Sequence, residues 1–140
     1  MKIIASKKNR EEESGLFVRD GDFAYKISHP GHAVQKTYRA YVTGPLSKEK
    51  IMRLRKGVDI GGYTTAPAHV EIIKQGLKSA LVEIRISEGR NRQVRKMFAA
   101  VGCRVTELER TEIGGVKIGH LKQGYTRKMT RSEIEMLLGE

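Results

Sequence analysis

Apolar and polar residues alternate cleanly in one stretch of this chain and recur at helical spacing in another, and a basic run joins the two. From Ser79 to Ser87, Ala80, Val82, Ile84 and Ile86 share one face while Leu81, Glu83 and Arg85 share the other, the period-two pattern of a half-buried strand. Ala66 to Ile73 reads as a strand just before it, and the Gln75-Gly76 turn between them predicts an antiparallel hairpin. From Arg92 to Val101 the apolar residues Val94, Met97, Phe98 and Val101 fall at i, i+3, i+4 and i+7, and Gly102 follows as the residue that ends the helix.

Weaker patterns fill in the rest. Gly15-Leu16-Phe17-Val18 predicts a short strand ended by the Asp20-Gly21 turn. Phe23, Ala24 and Ile27 then recur at helical spacing, with Asp20 or Asp22 as cap and Pro30-Gly31 as stop. Thr37 to Val42 is rich in β-formers and sets Tyr38, Ala40 and Val42 on one face. Ser47 caps a helix that turns Ile51 and Leu54 inward and stops at Gly57. Strands near Arg104 to Glu112 and Val116 to Ile118 flank Gly114-Gly115, and Thr130-Arg131-Ser132-Glu133 is a capping box opening a helix that buries Ile134, Leu137 and Leu138. Ser6 to Ser14 is a charged block without periodicity, so residues 1–14 read as a solvated, flexible segment ahead of a domain over 15–140. Strands interrupted by separated helices predict an α+β fold with a mostly antiparallel sheet. The pattern argues against a dinucleotide-binding unit, and the lone Gly114-Gly115 pair lacks the spacing that cradles a phosphate.

Charge narrows the function classes. With 140 residues and 39% hydrophobic content the chain amounts to about one domain. Its net charge of +11 points to an anionic partner: nucleic acid first, then an anionic membrane surface, then acidic proteins. A basic surface with no ligand is the bland alternative. The single Cys103 cannot form an internal disulfide and follows an apolar run, which fits a buried structural thiol and a reducing compartment. No stretch is long and apolar enough to span a bilayer, and the residues before Lys7 are too few for a signal peptide. The expectation is a cytoplasmic protein that does not engage membranes.

The segment Glu88 to Met97 is the most informative. A strand runs through a glycine turn into a helix that carries Arg90, Arg92, Arg95 and Lys96 near its start. Cations there oppose the helix macrodipole, so a fold that gathers them has a use for them on an anion, RNA phosphate being the natural one. The alternative is a solvated basic helix start.

EGRNRQVRKMFAAVG resembles the C-terminal motif of bacterial RNA pseudouridine synthases, in the RsuA-like branch that modifies ribosomal RNA at single sites. In the same order, GLFVRDGDFAYKISHP resembles that family's strand-turn-helix after the catalytic loop, and KTYRAYVTGPL its tyrosine motif. LRKGVDIGGYTTAPAHVEII and RVTELERTEIGGVKIGHLKQGYTRKMTRSEI resemble the stretches that follow. The resemblance covers Gly15 to Leu138 and implies a partial pseudouridine synthase catalytic domain that isomerises a uridine within RNA, using neither a metal nor an organic cofactor. It implies that Tyr38 stacks on the base, that Arg95 pairs with the family's nucleophilic Asp and keeps it ionised, and that Val94 packs beside the site. Arg90, Arg92 and Lys96 become RNA contacts.

The departure lies at the nucleophile. The family's Asp ends a Gly-Arg-Leu-Asp segment, and the ungapped register puts Lys7, Lys8, Asn9 and Arg10 on those positions. No Asp precedes Asp20. Glu11, Glu12 and Glu13 are the neighbouring carboxylates, and a Glu is longer than this chemistry tolerates. Three readings follow: a piece whose Asp comes from a separate N-terminal segment, a degenerate homologue that binds RNA without modifying it, as a non-catalytic module in ribosome assembly would, or a glutamate-driven variant. A basic protein-interaction domain would explain the charge but not the ordered motifs.

Overall fold

The computed structural model describes residues 2–7, 14–19, 34–90, 92–117, 119 and 126–138. Among them the elements run β1 (Lys2–Lys7), β2 (Ser14–Arg19), β3 (Lys36–Thr43), α1 (Lys48–Lys56), β4 (His69–Gln75), β5 (Ser79–Ile86) and α2 (Gln93–Ala100). They continue with β6 (Arg104–Ile113), β7 (Val116–Lys117), β8 (Thr126–Lys128) and α3 (Arg131–Leu138). The strands form one eight-stranded sheet in the order β4-β5-β3-β6-β2-β1-β8, with β7 paired to β6. Among the described residues β2 against β6 is the one parallel pairing, and the other pairings are antiparallel. The fold is α+β with a mostly antiparallel sheet.

The alternation read from the sequence decides which face is covered. Register sets Tyr38 opposite Ile84, Ala40 opposite Val82 and Val42 opposite Ala80, so all six point to the same side. They join Ile51 and Leu54 of α1 and Val94, Met97 and Phe98 of α2 in one buried cluster. Burying a large apolar side chain contributes about 1.5–3 kcal/mol, so the helices are held to the sheet mainly by these residues. Ser47 Oγ accepts from Lys50 N at 3.3 Å at the start of α1, as its sequence signal requires.

Three features depart from the periodicity. β4 starts at His69 instead of at 66, because the preceding residues spend their amides sideways. Ala66 N donates to a Glu88 carboxylate oxygen at 2.8 Å, Ala68 N donates to Arg55 O at 3.0 Å, and Pro67 has no N–H to give a ladder. β1 and β8 carried no alternation to mark them. β1 exists by pairing on both sides, with Lys2 opposite Arg19 on β2 and opposite Lys128 on β8. The helix expected over Phe23 to Ile27 and the strand end at 118 lie outside the described residues, as does most of the charged block at 8–13. No helix among the described residues is long and apolar enough to cross a membrane.

The capping box closes as predicted. Glu133 N donates to Thr130 Oγ1 at 3.2 Å, and Thr130 N donates back to Glu133 Oε1 at 2.9 Å. Arg127 adds a fork, its Nη1 and Nη2 donating to the two carboxylate oxygens at 2.8 and 2.7 Å. The Arg127 hydrogen bonds lower the Glu133 carboxyl from 4.5 to about 2, against the opposing effect of burial. A carboxyl depressed in the folded state stabilises it above its unfolded value, and that stability is lost as pH falls through the folded value. The docking of α3 is therefore expected to weaken between pH 4.5 and about 2. Thermal unfolding followed by circular dichroism across that window should show the loss, and Glu133→Gln should remove this contribution to the slope.

Candidate functional site

The turn between β5 and α2 is built around a carboxylate. Glu88 Oε1 accepts from the Tyr63 hydroxyl at 2.6 Å and Oε2 from Ala66 N at 2.8 Å. Burial pushes its carboxyl up, but the hydrogen bonds from Tyr63, Ala66 and Gln93 and the charge of Arg90 outweigh that and hold it below the ordinary range. The Arg90 guanidinium lies 3.4 Å from the centre of the Tyr63 ring, a cation–π contact of about 0.5–2 kcal/mol. One aromatic side chain thus clamps both ends of Glu88-Gly89-Arg90.

Gln93 finishes the turn. Its Oε1 accepts from Arg90 N at 3.1 Å while its backbone N–H donates to Arg90 O at 3.0 Å. This reciprocal pair brackets Arg92, which caps α2 in the left-handed region at φ 54° with no hydrogen bond from its side chain to the helix. Such a conformation costs a non-glycine residue about 1–3 kcal/mol, and it persists because the neighbours over-determine it. The first turn of α2 holds no acidic residue, so its positive end and the positive charges of Arg92, Arg95 and Lys96 add.

The expected site residues fall into two places. Tyr38 and Val94 are buried in the same cluster, Tyr38 on the central strand β3 and Val94 on the helix above it. Arg95 is on that helix as well, and its Nη1 donates to Val105 O at 3.1 Å. Val105 is opposite Val42 and Arg110 is opposite Tyr38. Four residues of strand therefore separate the two rows, about 13 Å along β3. Arg92 and Arg95 line a groove of about 620 Å3 together with Arg104 and Thr106, over Cys103 and Val105. Cys103 is a buried free thiol whose Sγ donates to Pro45 O at 3.5 Å, in keeping with a structural role. Arg90 is exposed and stacked on Tyr63, and Lys96 is exposed on α2. Position 10, where the register sets Arg10 in place of the Asp, lies outside the described residues. Among the described residues no group of His, Cys, Asp and Glu side chains could hold a metal ion.

Sequence reading missed Tyr63, Glu88 and Gln93 as the organisers of this turn, and it missed Arg104. Glu88 and Gln93 stood inside the quoted motif, but nothing in their spacing tells a hydrogen-bond hub from a surface residue. Tyr63 lies 25 residues before Glu88, and only the fold joins them.

Comparison with known proteins agrees with this architecture. The family described as RNA pseudouridylate synthase matches residues 14–100. The ribosomal large subunit pseudouridine synthase B of Bacillus subtilis is 37% identical over 124 residues, covering 87% of this chain and 51% of that protein. The ribosomal small subunit pseudouridine synthase A of Salmonella typhimurium is 37% identical over 122 residues, covering 85% and 51%. A solved pseudouridylate synthase superposes with a TM-score of 0.78 at 33% identity, over 96% of this chain and 59% of its own. The chain spans about half the length of these curated relatives. With the matched region running from β2 through the basic turn to the end of α2, the chain belongs to the RNA pseudouridylate synthase family.

Proposed function

We propose that this chain is part of an enzyme that isomerises a uridine of ribosomal RNA to pseudouridine, and that alone it binds RNA without completing the reaction. The observation that carries the reading is the placement of Tyr38 on the sheet face covered by α2, the helix that bears Arg95, within the family-matched region. In this reading the base detaches from the sugar, turns and rejoins through carbon. The resemblance assigns Tyr38 to the base, and its ring is buried in the apolar cluster that α2 covers. Arg95 offers a permanent cation to hold a carboxylate in its ionised form. That carboxylate is an Asp carried by a separate N-terminal segment, since the aligned position here is Arg10. The division follows the same reading: 15–140 is a partial catalytic domain, and 1–14 is a charged segment from which Lys2–Lys7 adds a strand to the sheet. In this reading the protein works on ribosomal RNA in the cytoplasm.

The second reading, a non-catalytic RNA-binding module, is favoured by the same Arg10. Both readings predict that affinity for RNA falls steeply as salt rises, through counterion release. Arg92→Ala and Lys96→Ala should weaken binding to many RNA sequences alike and flatten the plot of log affinity against log salt by about one unit per lost phosphate contact. Fluorescence anisotropy with short labelled RNAs measures this. Binding indifferent to salt would instead favour a protein-interaction domain.

A further inference from the structure

We propose that Arg90, stacked on Tyr63, is a platform for a nucleobase of single-stranded RNA, presented at the turn that opens α2. The inference rests on the RNA reading above and deepens it by assigning a base-stacking contact to this pair. The Arg90 guanidinium carbon lies 3.4 Å from the centre of the Tyr63 ring. At that distance an edge-on guanidinium would drive a nitrogen into the ring, so the two planes lie nearly flat on each other. Tyr63 is partly buried and Arg90 is exposed, so the stack ends at the surface on a flat, cationic plane. Unpaired RNA bases are held on planes of this kind, whether aromatic rings or guanidinium groups.

Two observations favour a base over a phosphate as the ligand of that plane. The first is the neighbouring carboxylate. Glu88 Oε1 accepts from the Tyr63 hydroxyl at 2.6 Å, so a negative charge stands at the rim of the ring that carries Arg90. That charge repels a phosphate and leaves the neutral face of a base indifferent. The second is rigidity. Asp59 Oδ1 accepts from the Gly61 and Gly62 amides, both at 2.8 Å, and Ile60 N donates to Tyr63 O at 2.8 Å. Below the ring, Thr65 N donates to Val58 O at 2.9 Å. The loop that presents Tyr63 is therefore held at its tip, at its base and through the ring hydroxyl. A long mobile side chain serves for a phosphate contact, whereas stacking gains from a plane fixed before the ligand arrives. Every base has such a face, so the platform adds affinity for unpaired RNA with little sequence preference.

The test uses the full chain and two short single-stranded ligands of equal length and charge, an adenosine oligonucleotide and the same backbone without bases. Each is titrated at several salt concentrations. The native chain should favour the base-bearing strand about tenfold. Arg90→Lys keeps the charge and loses the plane, and Tyr63→Leu removes its support. Both variants should abolish the preference and leave the salt slope unchanged. A fluorescent adenine analogue in the strand gives a second reading, since stacking quenches it and the chain has no tryptophan to obscure its emission. The quench should disappear in Arg90→Lys. If Arg90 is a phosphate contact, Arg90→Ala will lower the slope by about one unit and Arg90→Lys will restore it, which overturns the platform. A stack that serves the fold alone would lower the midpoint of urea unfolding in Tyr63→Leu while Arg90→Lys kept the native base preference, which overturns it too. In both cases the RNA reading stands. Failure of the native chain to bind either strand at low salt would overturn both.

Discussion

Incubated with unmodified ribosomal RNA, this chain is expected to form no pseudouridine above background. The family's chemistry needs a carboxylate held at the sugar, and the aligned position is Arg10, a cation where an anion should act. Glu11, Glu12 and Glu13 are the carboxylates nearest in sequence, in a run with no apolar side chain to anchor them. Holding a reacting group in the right geometry is worth about 7–11 kcal/mol in well-oriented systems. Forfeiting even about 7 kcal/mol slows a reaction by roughly five orders of magnitude, enough to abolish detectable turnover. A base-specific assay for pseudouridine reads the result directly. Turnover that disappears when Glu11, Glu12 and Glu13 are replaced by Gln would sink the expectation and identify a glutamate-driven variant. Turnover restored by a separate segment carrying Gly-Arg-Leu-Asp would identify the chain as one piece of a two-part enzyme and assign Arg95 its partner.

Replacing Gly57 by Ala should cost about 3 kcal/mol or more of folding stability. Gly57 ends α1 at φ 120° and ψ 144°, a region of backbone space essentially reserved for glycine. A Cβ there would stand 2.2 Å from the Thr65 carbonyl oxygen, a backbone atom that cannot swing aside. Thr65 is itself pinned, since its amide donates to Val58 O at 2.9 Å and its hydroxyl accepts from Val58 N at 2.9 Å. The strain can be relieved only by fraying the end of α1 or by pushing out the loop that presents Tyr63 to Glu88 and Arg90. The variant should therefore lower the midpoint of urea unfolding and loosen the basic turn together. Gly61→Ala is the control: its φ is 113°, but nothing lies within 4 Å of the added carbon, so it isolates the backbone cost. Equal losses in the two variants would show that the clash with Thr65 contributes nothing.

Local chemistry made much of this molecule legible before any coordinates. The alternation over Ala80 to Ile86 gave the buried face of β5, the spacing of Val94, Met97 and Phe98 gave the buried face of α2, and Ser47, Gly57 and the Thr130–Glu133 box marked helix ends. Each of these signals works within a few residues of chain, through side-chain direction or a nearby orphan amide, so sequence is enough to carry it. The family was legible for a related reason, because Tyr38 and the run from Glu88 to Met97 are compact motifs in a set order. What remained hidden depends on contacts between distant segments. β1 has no pattern of its own and exists because β2 and β8 flank it. Tyr63 becomes a clamp only when the loop after α1 folds back on Glu88, and Arg104 becomes part of a groove only when β6 returns beneath α2. Hydrogen bonds and charge clusters of this kind form across long sequence separations, where residue type alone cannot say which donor meets which acceptor. Only the packed sheet makes those choices.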